Sequence, residues 1–126
     1  MKAIIAMDLA DVPIVSQDVT VYTLLTKENK KWADQHKGVG IQFVKTPIYV
    51  RAADKGINMF VKGILKIADV PEYNDMLHFV YFSHMVAYYL SQRDYRQIAF
   101  EDQILCEKVL LQFGNDGKYI DKVEIL

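Results

Sequence analysis

The sequence predicts an α+β domain: an antiparallel sheet made of N-terminal strands, a central hairpin and a C-terminal hairpin, with two helices packed on one face. Three observations point that way. Apolar and β-branched residues dominate the first 26 positions, a long apolar helical segment follows Pro71, and strand-type alternation returns around Gly114-Asn115-Asp116-Gly117. Strands, then helices, then strands is the order expected when helices cover one face of an antiparallel sheet. The βαβαβ alternation of a nucleotide-binding sheet is not evident.

In chain order, residues 2–9 read as a first strand, continued loosely through Val12-Pro13-Ile14-Val15. Residues 19–26 fit two readings. The β-branched density of Val19, Thr20, Val21, Thr23 and Thr26 favours a strand. Ser16 as a cap, with Val21, Leu25 and Trp32 near helical spacing, favours a helix. The strand reading is preferred, giving way to a short helix or loop over 27–36, after which Gly38 and Gly40 break the chain. Residues 40–52 alternate as an extended segment, with Pro47 marking an edge or a bulge. The Ala53-Asp54-Lys55-Gly56 turn then assigns 57–68 to a long hairpin, although Ile57, Phe60, Val61, Ile64, Leu65 and Ala68 also make a helical stripe. Pro71, Glu72 and Asp75 suit the first turn of a helix running to about Gln92. A second helix is expected from about Asp94 into the Gln103 region. The closing hairpin has 109–113 and 119–126 as its arms.

Composition bounds the class. The chain has 126 residues, 52% of them hydrophobic and 25% charged, with a net charge of −1. One domain of that size can bury a core without staples. A single cysteine, Cys106, permits no internal disulfide, and there is no Asn-x-Ser/Thr sequon. The short apolar run after Lys2 lacks the length and cleavage site of a signal peptide. The uncharged stretch from Met76 to Gln92 is too short and too polar to span a bilayer. A cytoplasmic protein with no membrane partner is expected.

No motif fixes a catalytic residue, a cofactor or a metal. His78 and His84 are six positions apart, which puts them about 120° apart on a straight helix, so they cannot share an ion. One core histidine and one surface histidine is the simpler account, and His36 reads as a solvated loop residue. Cys106 has no base near it in sequence and reads as a small buried hydrophobe. Asp8, Asp11, Glu101 and Asp102 form no recognisable acid–base pair, and Gly38-x-Gly40 is too weak to mark a phosphate loop.

Two features stand out. Between Met76 and Leu90, all residues but His78, Ser83 and His84 are apolar or tyrosine, so one sheet cannot cover every side of that helix. This predicts a homo-oligomer, or a protein partner, meeting at Tyr81, Met85, Tyr88 and Tyr89, with a plain core helix as the alternative. The second feature is charge segregation: residues 27–62 carry +5, against −2 before them and −4 after. Lys27, Lys30, Lys31, Lys37, Lys45 and Arg51, with Trp32 among them, could hold a nucleic-acid backbone. Solvated lysines that keep the chain soluble are the bland counterpart. A small interaction or regulatory protein is the first expectation, a nucleic-acid-binding accessory protein the second, and a small enzyme using His78, His84, Asp8 or Glu101 the third.

Overall fold

The computed structural model describes residues 2–13, 18–46, 76–113 and 122–126. Five strands make one sheet: β1 (Lys2–Ile5), β2 (Val19–Leu24), β3 (Gly40–Val44), β4 (Gln97–Phe100) and β5 (Lys122–Ile125). Their order is β3-β2-β1-β4-β5, and every pairing is parallel. The described residues also form three helices, α1 (Lys27–Gln35), α2 (Met76–Ser91) and α3 (Gln103–Phe113), and a 3-10 turn at Leu9–Asp11.

The expected antiparallel sheet with two helices on one face is therefore overturned. The sheet is wholly parallel and helices lie on both of its faces. On one face, Ile4, Val19, Val21 and Ala99 pack with Leu9, Val12 and, from α1, Trp32. On the other, Ala3, Ile5, Tyr22, Leu24, Ile98 and Phe100 pack with Phe82, Val86 and Leu90 of α2 and with Leu105, Cys106 and Val109 of α3. The two windings explain this division. β2–α1–β3 carries the chain towards one edge and β4–α3–β5 towards the other, and connections of one hand then place α1 and α3 on opposite faces.

The physical reason for the correction lies in the strands themselves. A strand covered on both faces needs apolar residues at every position rather than at alternate ones. Residues 3–6 are all buried, as are 21–24 and 98–100. Gln97-Ile98-Ala99-Phe100, expected inside a helix, is the interior strand β4, paired between β1 and β5. The stretch 109–113, expected as a hairpin arm, is the second half of α3, and the chain then returns in β5 parallel to β4. The expected hairpin at 57–68 and the turn at 114–117 lie outside the described residues.

Local signals set the helix starts. Thr26 caps α1, its hydroxyl accepting the Asn29 N–H at 3.0 Å. Asp102 does the same for α3, its carboxylate accepting the Leu105 N–H at 2.8 Å; each such cap contributes about 1 kcal/mol. α1 ends where the His36 ring stacks on Trp32, with centroids 3.9 Å apart. α2 buries Phe82, Val86, Ala87 and Leu90, each of the larger ones worth roughly 1.5–3 kcal/mol of burial. Under it, the Tyr22 and Tyr95 hydroxyls meet at 2.9 Å, and Tyr22 stacks on Tyr89 with centroids 6.2 Å apart. Among the described residues no helix is long and apolar enough to cross a membrane.

Candidate functional site

In an open parallel sheet the strands all point one way, so their carboxyl ends and the loops leaving them form a common edge. Ligands of such sheets bind outside that edge. Here the edge has two halves of opposite charge.

The first half lies where the winding reverses, at the ends of β1 and β4. Met7-Asp8 leaves β1 and Glu101-Asp102 leaves β4. The Glu101 N–H donates to Ile5 O at 2.8 Å, and the Glu101 carboxylate accepts the Met7 N–H at 2.7 Å. Burial raises the Glu101 carboxyl above its ordinary range; the N–H groups of Met7 and Asp8 oppose this, and the charges of Asp102 and Asp11 add to it. Asp8 turns its carboxylate back to the Ala10 N–H at 3.0 Å, and Asp102 is committed to its helix cap. Asp8 and Glu101 thus brace two loops and do not face each other as an acid–base pair. Among the described residues no three His, Cys, Asp or Glu side chains are grouped to hold a metal ion.

Asn29 joins this half to the next. It is 2% exposed, accepts the Leu9 N–H at 2.9 Å, and turns its amide nitrogen to Met7 O at 2.7 Å, Leu24 O at 2.7 Å and the Thr23 hydroxyl at 3.1 Å. Two amide hydrogens serve three acceptors, so one is shared. The β1 and β2 exits are locked to the first turn of α1 by this one side chain.

The second half is a cleft of about 490 Å³ at the ends of β2 and β3, lined by Leu24, Leu25, Thr26, Lys27, Lys30, Lys45, Thr46 and His78. Its volume falls in the range of small-molecule sites, roughly 300–1,000 Å³. Lys27 and Lys30 stand one turn apart on α1, Lys45 follows β3, and His78 comes from α2. Leu24 and Leu25 supply apolar wall. Thr46 is only 5% exposed, and its hydroxyl is the buried side-chain oxygen left without a hydrogen-bond partner among the described residues.

The chain matches no family model, no curated protein and no solved structure.

Of the residues expected to contact nucleic acid, the fold brings Lys27, Lys30 and Lys45 to one cleft. Lys31 and Lys37 are exposed outside it. Trp32 is turned inward against the sheet and stacked on His36, so it offers no free platform for a base. Arg51 lies outside the described residues. Of the expected interface residues, Tyr88 is exposed, whereas Tyr81, Met85 and Tyr89 are partly buried against the α2 side of the core. His78 lines the cleft and His84 is exposed, so the two histidines do not converge. Cys106 is buried, and burial, then Glu107, raise its thiol, which keeps it un-ionised. Sequence reasoning missed Thr46, Asn29 and the pairing of Glu101 with the β1 loop. The one available signal was the Thr26-x-x-Asn29 cap directly after a strand.

Proposed function

We propose that this protein binds a single nucleic-acid strand by its sugar–phosphate backbone in the cleft between the ends of β2 and β3. The observation that carries the reading is the convergence of Lys27, Lys30 and Lys45, from two separate elements, on one concave surface. Lysines that merely solvate a surface have no reason to gather round a cavity; three of them there attract phosphate strongly at low salt. The cleft is concave and nucleotide-sized, which suits a flexible strand better than the convex rod of a duplex. Leu24 and Leu25 offer the sugar or base an apolar wall.

The test is fluorescence anisotropy of labelled single-stranded and duplex DNA and RNA in low salt. Single strands should bind more tightly than duplexes of the same sequence, and Lys30→Ala with Lys45→Ala should weaken binding by at least about tenfold. Failure of every strand to bind at low salt removes the reading.

A second reading, self-association through α2, is favoured by one observation: Tyr88 is 57% exposed on a helix otherwise rich in packed apolar residues. Light scattering over a dilution series tests it, and a monomer at all concentrations refutes it.

A further inference from the structure

We infer that Thr46 and the first turn of α1 form a subsite for a terminal phosphate monoester, so that the cleft takes the phosphorylated end of a strand rather than an internal stretch of it. The inference rests on the nucleic-acid reading and narrows it.

The donors decide between an end and a middle. An internal phosphodiester carries one charge and two free oxygens. A terminal monoester carries about −1.5 to −2 at neutral pH and three acceptor oxygens. The cleft offers more than a diester uses. Lys27, Lys30 and Lys45 are among the residues of its wall. α1 begins in that wall, and the Asn29 and Lys30 N–H groups are already taken by Thr26. Among the described residues the N–H groups of Lys27 and Glu28 remain as the orphan donors of the first turn, at the positive end of the helix. Glu28, the one acid of that turn, is exposed and does not line the cleft.

Thr46 is the independent observation. A buried hydroxyl is expected to have a partner, and one without it calls for a ligand or water to complete it. Among the described residues the Thr46 hydroxyl has no hydrogen-bond partner, and its residue is part of the cleft wall, beside Lys45. A phosphate oxygen would give it an acceptor. The cavity, at about 490 Å³, also has room for the sugar and base attached to that phosphate.

The experiment compares one oligonucleotide in three forms, with a 5′-phosphate, with a 3′-phosphate and with hydroxyls at both ends, and adds a nucleoside 5′-monophosphate as competitor. One phosphorylated form should bind about tenfold tighter than the hydroxyl form, since the extra charge and oxygen make charge-assisted contacts. Thr46→Val, close in shape and lacking the hydroxyl, should fold normally and erase most of that preference. A monophosphate that competes at least tenfold less well than the phosphorylated strand assigns the strand end as source; equal competition assigns a free nucleotide, and either result supports the subsite. Equal affinity for all three strand forms overturns the subsite and leaves the strand reading intact. Binding by no strand overturns that reading, and a silent monophosphate then overturns the subsite with it.

Discussion

Tyr22 and Tyr95 show how a single polar contact is held inside an apolar layer. Both are almost fully buried, at 2% and 3% exposure, and each hydroxyl is the other's partner. Burial and the Tyr95 hydroxyl push the Tyr22 phenol well above its ordinary range, which keeps the Tyr22 hydroxyl un-ionised at neutral pH. Replacing one member by phenylalanine strands the other hydroxyl, which costs about 1–3 kcal/mol. Replacing both removes the two orphans together. Tyr22→Phe alone should therefore destabilise by about 1–3 kcal/mol, and Tyr22→Phe with Tyr95→Phe by clearly less than the sum of the singles. Denaturant midpoints of the four proteins decide it; additive losses would mean that the ring contacts, not the hydroxyl pair, hold this layer.

Between elements, the tie of Glu101 across the β1 and β4 exits has a pH signature. Its carboxyl is raised from 4.5, chiefly by burial, so the folded chain keeps that proton to higher pH than the unfolded chain does. The group's contribution to stability is then fully present below pH 4.5 and is lost as pH rises through the folded value. Glu101→Gln cannot ionise and escapes that loss. Its stability relative to the unmodified protein should rise with pH above about 4.5, read as the difference in denaturant midpoints from about pH 4 to about pH 7. A difference that stays flat would show that the carboxylate's N–H bonds fully offset its burial. This tie, and the sheet it belongs to, were only partly legible in the sequence. α1 was visible as a helical option over 27–36, β2 and the body of α2 could be read from β-branched density and apolar length, and β5 from the alternation of Val123 and Ile125 with charged residues. β4 was not. Ile98-Ala99-Phe100 is three apolar residues between polar ones, too short for its period to separate a strand buried on both faces from a turn of helix. With β4 read as helix, the chain shows strands followed by helices, and the parallel alternation disappears. The cleft was half legible: charge counting over 27–62 found its lysines, but Lys31 and Trp32 sit in the same sequence window, and only the turn of α1 sends Lys27 and Lys30 one way and Trp32 the other.

At the scale of the molecule, the carboxyl edge sets acids at the ends of β1 and β4 beside lysines at the ends of β2 and β3, on a chain whose net charge is only −1. On the proposed reading, a strand meets repulsion on one half and attraction on the other, which confines it to a short track. That limits the number of phosphates neutralised, and salt dependence counts them. For a single strand, log K falls with log salt at a slope of about −0.7 per phosphate neutralised. Three cleft lysines give a slope of about −2, so raising salt fourfold should weaken binding by roughly 20-fold. Lys30→Ala should bring the slope to about −1.4, whereas Lys31→Ala, on the same helix but outside the cleft, should leave it near −2. The pair of variants separates a site from a diffuse field: each removes one charge, so equal effects would mean that the strand senses net charge alone, and the cleft would lose its claim to hold it.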